Sequence, residues 1–133
     1  MEKMILCDFD GTITKDDTLV MILDKFVGPK WRQIEKKIIK EEFGNRIGLK
    51  REFGLCSPKK ATKEKIVRLL NEEIDIDRHF KPFLEFCDRE GYEFVIVSGG
   101  FSLCIDTILK KYNLGNIPFY SNKLLFGKDK FDI

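Results

Sequence analysis

The stretch Met4-Ile5-Leu6-Cys7-Asp8-Phe9-Asp10-Gly11-Thr12-Ile13-Thr14 decides how this chain is read. Met4 to Cys7 is a short apolar run closed by a glycine-containing turn, which predicts a buried strand. Asp8 and Asp10 then emerge at its end. Neighbouring side chains on an extended backbone point to opposite faces, and a turn at Phe9 or Asp10, which Gly11 permits, is expected to bring both carboxylates to one ligand. In open parallel sheets, ligands collect beyond the carboxyl ends of the strands, where this placement puts the pair. Two close carboxylates raise each other's pKa unless a cation or basic group sits between them, and Mg2+ suits such hard oxygen donors. The competing reading is an Asp-rich turn whose carboxylates cap backbone amides.

A chain of 133 residues is the size of one ordinary domain. A net charge of +2 is too mild to argue for nucleic acid as a partner. Met1-Glu2-Lys3 runs straight into the strand without the apolar core of a signal peptide, and no apolar run approaches membrane-spanning length, so the expected location is cytoplasmic with no membrane partner. Cys7, Cys56, Cys87 and Cys104 are scattered, which predicts free, buried thiols rather than a zinc or redox site.

Beyond Thr14 the pattern becomes helical. Leu19, Ile22, Leu23 and Phe26 recur at helix spacing, with Asp16 or Asp17 as cap and Gly28-Pro29 as stop. A second helix is expected from Lys30, with Trp31, Ile34 and Ile38 on one face, Arg32, Lys36, Lys37 and Glu41 elsewhere, and Gly44-Asn45 closing it. A short segment from Ile47 to Leu55 follows, then Ser57-Pro58 as the start of a helix carrying Ile66, Val67, Leu69 and Leu70. From Arg78 the pattern is α/β: the stripe Phe80, Phe83, Leu84, Cys87, a strand over Tyr92 to Val97, a helix from Phe101 to Tyr112 and a strand around Pro118 to Ser121. Such connections build a parallel sheet. The expected architecture is a Rossmann-like α/β core, residues 1–14 and 78–133, interrupted by a helical cap, residues 15–77.

Asp8-x-Asp10-Gly11-Thr12 after an apolar strand resembles the first motif of the haloacid dehalogenase superfamily of phosphatases, and Val95-Ile96-Val97-Ser98-Gly99-Gly100-Phe101 resembles its second. Asp10 to Asp17, Met21 to Phe26, Trp31 and the Ser98 strand look like the phosphoserine-phosphatase-like branch, nearest to the methionine-salvage phosphatases that act on a hydroxy-keto-methylthiopentenyl phosphate. The resemblance implies a Rossmann-like fold with a C1-type cap and a Mg2+-dependent phosphomonoester hydrolase acting on a small phosphorylated metabolite. Asp8 would attack phosphorus to give an aspartyl phosphate. Asp10 would act as general acid and base, Ser98, Gly99, Gly100 and Thr12 would bind phosphate, and Asp8 with Asp10 would hold the metal. Asp17 matches a family Asp at the cap entrance, and a helix N-cap fits it equally.

The chain departs from this pattern near its end, where neither the third-motif Lys nor the fourth-motif acidic cluster is recognisable before Ile133. Lys123, Lys128 and Lys130 read as a solvated turn, His79 as a linker residue, and Arg46, Lys50 and Arg51 as cap cations that could meet an anion. The family's sheet order leaves the Asp8 strand as an apolar edge, so the expectation is the N-terminal part of a phosphatase, weak or inactive alone, with a second chain a possible cover for that edge. A noncatalytic phosphate-binding or interaction protein of the same fold is the alternative.

Overall fold

A computed structural model describes residues 2–40 and 44–133. Three parallel strands, β1 (Lys3–Cys7), β2 (Tyr92–Phe101) and β3 (Phe119–Asn122), form a sheet in the order β1-β2-β3. Lys3 stands beside Tyr92 and Cys7 beside Ile96, so Asp8 leaves the sheet at the level where β2 delivers Ser98. Between β1 and β2 come α1 (Thr18–Phe26), a 3-10 turn (Pro29–Trp31), α2 (Arg32–Ile39), α3 (Asn45–Gly54), α4 (Lys63–Glu73) and α5 (Phe80–Arg89). α6 (Ser102–Lys111) joins β2 to β3, and an antiparallel hairpin, β4 (Leu125–Phe126) and β5 (Phe131–Asp132), follows.

Local chemistry sets these boundaries. Asp17 Oδ1 accepts the N–H groups of Leu19 at 2.8 Å and Val20 at 3.0 Å, an N-cap for α1 of the kind worth about 1 kcal/mol. At the other end, Val27 and Gly28 both donate to the Leu23 carbonyl, and Gly28 takes a φ of 83° that a side chain would resist. Trp31 is then buried, its indole N–H donating to Asp24 at 2.8 Å. The helical stretch leaves and rejoins the sheet through a narrow clasp: Lys15 N–H donates to the Asp75 carbonyl at 2.9 Å and Asp77 N–H to that of Ile13 at 2.7 Å.

Four sequence expectations are corrected here. Gly44-Asn45 opens α3 instead of closing α2: Gly44 is extended, and its carbonyl accepts the Gly48 N–H at 3.0 Å. Glu41, placed on the second helix, lies outside the described residues. The Ile47 to Leu55 segment belongs to α3, whose buried positions are Gly48, Glu52 and Phe53; two of those three residue types hide the apolar period. Ser57-Pro58 makes a turn of its own, the Ser57 carbonyl accepting Lys60 and Ala61 N–H, while α4 starts at Lys63 under a Thr62 cap. β2 also runs on to Phe101, with an irregular register past Val97.

The core joins the helices to the sheet's carboxyl end. Phe53 of α3 meets Phe101 of β2 edge to face at 4.8 Å, and Phe9, Ile13, Ile22, Leu23 and Trp31 are all buried around them. Phe80 of α5 packs on Phe94 of β2 at 5.6 Å, covering one sheet face. The buried strand expected over Met4 to Cys7 is corrected too: no residue of β1 is fully buried, and Met4 and Leu6 remain 56% and 65% exposed, because β1 stands at the sheet's edge. Three of the cysteines are buried and Cys7 is half-buried, all as free thiols.

Glu52 is the one buried carboxylate among the described residues. Burial, and then the charges of Glu35 and Asp17, push its carboxyl up to about 7. The unfolded chain releases that proton near pH 4, so Glu52 favours folding least above neutrality, by up to roughly 3 kcal/mol, and the loss develops as pH rises from about 4 to 7. Glu52→Gln is expected to melt several degrees above the wild type at pH 8 and level with it near pH 4, as followed by circular dichroism. A pH-independent difference would contradict this account.

Candidate functional site

The site is built on the turn after β1. Phe9 is fully buried, and its carbonyl accepts the N–H groups of Thr12 at 3.1 Å, Ile13 at 2.9 Å and Thr14 at 3.2 Å. Gly11 adopts a φ of 72°, and its N–H donates to Thr14 Oγ1 at 3.0 Å, while the Thr14 hydroxyl donates to the Asp16 carbonyl at 2.7 Å. The chain therefore turns directly after the motif and holds Asp8 exposed and Asp10 half-buried.

Each carboxylate has a local partner. Asp8 Oδ1 accepts the Phe9 N–H at 2.7 Å. Asp10 Oδ1 accepts both the N–H and the hydroxyl of Thr18, tying the motif to the start of α1. Burial pushes the Asp10 carboxyl up to about 6, against the lowering effect of the Thr18 hydrogen bonds, and the charges of Asp17 and Asp8 raise it further. A carboxyl poised there can hold or release a proton near neutrality.

Ser98 is 9% exposed, and its Oγ accepts the Gly100 N–H at 3.0 Å. A Cβ at Gly100 would collide with Asp10 Oδ2 and meet Ser98 Oγ at 3.2 Å. Asp10, Ser98 and Gly100 thus converge on one point. Gly99 is exposed beside them, its carbonyl held by the Asn122 side-chain amide at 2.8 Å, and α6 begins two residues beyond Gly100. Thr12 lies exposed on the turn with its N–H committed to Phe9. For a cation, the chain offers the Asp8 carboxylate and the Asp10 main-chain carbonyl, which accepts no hydrogen bond from the described residues. Two hard oxygens fit Mg2+, which keeps several waters and takes further ligands from phosphate. No cluster of three or more His, Cys, Asp or Glu stands ready for a metal among the described residues.

A cavity of about 350 Å³ adjoins this point, reaching Asp17 and Gly99 and lined by Trp31, Glu35, Leu49 and Glu52. Glu52 was not singled out by sequence; its signal was a carboxylate spaced three from Leu49 and next to Phe53 on a helix. Two of the cations expected to meet an anion point elsewhere: Arg46 donates to the Ile133 carbonyl at 3.4 Å, and Lys50 pairs with Asp132 at 3.3 Å. His79 is exposed before α5, and Lys123, Lys128 and Lys130 are exposed around the hairpin.

A family model for haloacid dehalogenase-like hydrolases matches residues 5–132. The chain is 32% identical, over 99% of its length, to a 2-hydroxy-3-keto-5-methylthiopentenyl-1-phosphate phosphatase of Brevibacillus brevis, and spans 59% of that protein. A protein of the same name from Bacillus mycoides is 30% identical over 84% of the chain, which spans 50% of it. A phosphoserine phosphatase solved as a phospho-aspartyl intermediate analogue superposes with a TM-score of 0.75 at 24% identity, covering 97% of this chain and 60% of that one, a likeness of fold. The chain thus spans little more than half the length of the relatives it matches, and on the extent of the family match it belongs to the haloacid dehalogenase-like hydrolases.

Proposed function

We propose that this chain carries the nucleophile, acid-base and phosphate-binding residues of a Mg2+-dependent phosphomonoesterase that acts on a small phosphorylated metabolite. The observation that carries the reading is the convergence of Asp10, Ser98 and Gly100 at the mouth of the turn that presents Asp8. The reading takes residues 1–14 and 78–133 as the core and residues 15–77 as the cap that covers the site. The relatives' printed name, a phosphatase of a hydroxy-keto-methylthiopentenyl phosphate, supports a small phosphate monoester as substrate.

In this mechanism Asp8 attacks phosphorus in line with the ester oxygen, forming an aspartyl phosphate and splitting hydrolysis into two easier steps. Asp10, its other oxygen held by Thr18, gives its proton to the departing alkoxide and then takes one from the water that cleaves the aspartyl phosphate. A carboxyl raised to about 6 suits both directions near neutrality. Ser98 Oγ and the amides of Gly99 and Gly100, with Thr12 at the turn, orient the phosphate oxygens, and positioning of this kind is a main term in phosphoryl transfer. Mg2+ bound by Asp8 and the Asp10 carbonyl would offset the charge of carboxylate and phosphate. The Met4 and Leu6 edge is where a second chain would pair, a reading supported by their exposure alone. The relatives are named as enzymes, which lends nothing to a noncatalytic role.

Phosphate release from a panel of small phosphomonoesters, followed with and without Mg2+, tests this. Release is expected to depend on Mg2+ and to fall by about a hundredfold or more in Asp8→Asn, while Ser98→Ala raises KM more than it lowers kcat. Equal release by wild type and Asp8→Asn, or none from either folded chain, would contradict it for the chain on its own.

A further inference from the structure

Among the described residues, the charged side chains that line the cavity beside the phosphate site are all carboxylates: Asp17, Glu35 and Glu52. Two of them are occupied. Asp17 caps α1, and Glu35 has Arg32 behind it at 3.9 Å, a guanidinium that sits closer to Asp24 at 3.1 Å. Glu52 differs. It is 94% buried by the complement of its 6% exposure, and its carboxylate has no hydrogen-bond or ion-pair partner among the described residues. None of its polar atoms is sealed off from solvent without a partner, so the carboxylate opens onto the cavity.

A buried carboxylate without a partner is costly, and its neighbours Glu35 and Asp17 add to that cost. The rest of the wall is largely apolar, with Leu19, Leu23, Trp31 and Leu49, so the cavity matches a short aliphatic chain ending in a hydrogen-bond donor. An anionic end would face like charges. A cationic end would relieve the one unpaired group and lose less to desolvation than in an uncompensated site.

Resting on the phosphomonoesterase reading, we propose that Glu52 is its specificity-determining residue: its carboxylate, backed by Glu35 and Asp17, receives a protonated amine at the far end of the substrate's alcohol. The phosphate would lie at Asp8, Asp10 and Ser98, and the carbon chain would run past Gly99 and Trp31. No bond is made or broken at Glu52. This sets the chain apart from the substrate in its relatives' printed name, whose hydroxyl, keto and methylthio groups include no amine.

Trp31 is the chain's single tryptophan and lines the cavity, so its fluorescence reports occupancy. The titrations use 3-aminopropyl phosphate, the isosteric butyl phosphate, 3-(methylthio)propyl phosphate and inorganic phosphate at pH 8, without Mg2+ so that the esters are not turned over. Wild type is expected to bind the aminopropyl ester about tenfold more tightly than either neutral ester. In Glu52→Gln that preference should fall below about twofold, with affinity for inorganic phosphate unchanged. The more exposed Glu35→Gln, which keeps Glu52, should lose only part of the preference and serves if Glu52→Gln does not fold. Equal or tighter binding of a neutral ester by wild type, or an undiminished preference in Glu52→Gln, would overturn the assignment of Glu52 while leaving the phosphate site standing. Failure of inorganic phosphate to bind would overturn the phosphomonoesterase reading and this proposal with it.

Discussion

Everything at the candidate site hangs on the carbonyl of Phe9. Three consecutive amides, from Thr12, Ile13 and Thr14, converge on it, and the Phe9 ring is fully buried beneath. The ring fixes which way the strand end faces, and the convergent amides force the chain to turn at once. Asp8 and Asp10, on either side, are consequently presented toward the same end of the sheet, with Asp10 locked by the Thr18 amide and hydroxyl. One buried aromatic and one saturated carbonyl thereby convert a two-carboxylate sequence into a geometry. Gly100 completes it, since any side chain there would strike the Asp10 carboxylate.

The parts legible in the sequence were those with a short-range physical signature. An apolar run ending in a glycine turn located β1 and the Asp pair, the spacing of Leu19, Ile22 and Leu23 located α1, and Asp17 did cap it. The parts that were misread lie where local signals compete. Gly44-Asn45 carries the chemistry of a helix stop, yet the extended Gly44 starts α3 because its carbonyl accepts the Gly48 N–H. Ser57-Pro58 has the chemistry of a helix start, and the following turn consumes it before Thr62 caps α4. Glu52 carried only a faint signal, its spacing from Leu49: a glutamate on a short, charged helix reads as solvated until tertiary packing of Phe53 against Phe101 turns that face inward. Nor could the sequence say that Arg46 and Lys50 turn to the chain's last residues instead of to the cavity.

The electrostatics of the two layers run in opposite senses. At the sheet's end, oxygen donors from Asp8 and Asp10 face amides and a hydroxyl, an arrangement that suits a cation shared with phosphate. In the adjoining cavity, three carboxylates gather with no lining cation among the described residues, and one of them is buried at a cost to stability. Groups that cost stability and line a cavity are where function is usually kept, because natural sequences depart from local consistency mainly at such places. The clasp between Ile13 and Asp77 keeps the two layers in register: it fastens the helical stretch to the very turn that carries the Asp pair.

The central claim is that Asp8, Asp10, Ser98 and the two glycines form one phosphate site. Amide NMR of the 15N-labelled chain titrated with inorganic phosphate and Mg2+ tests it most directly. The account predicts saturable shifts concentrated at Gly99, Gly100 and the Asp10 to Thr12 turn, with weaker affinity in Ser98→Ala. Shifts scattered over surface lysines, or confined to the hairpin after Asn122, would contradict it.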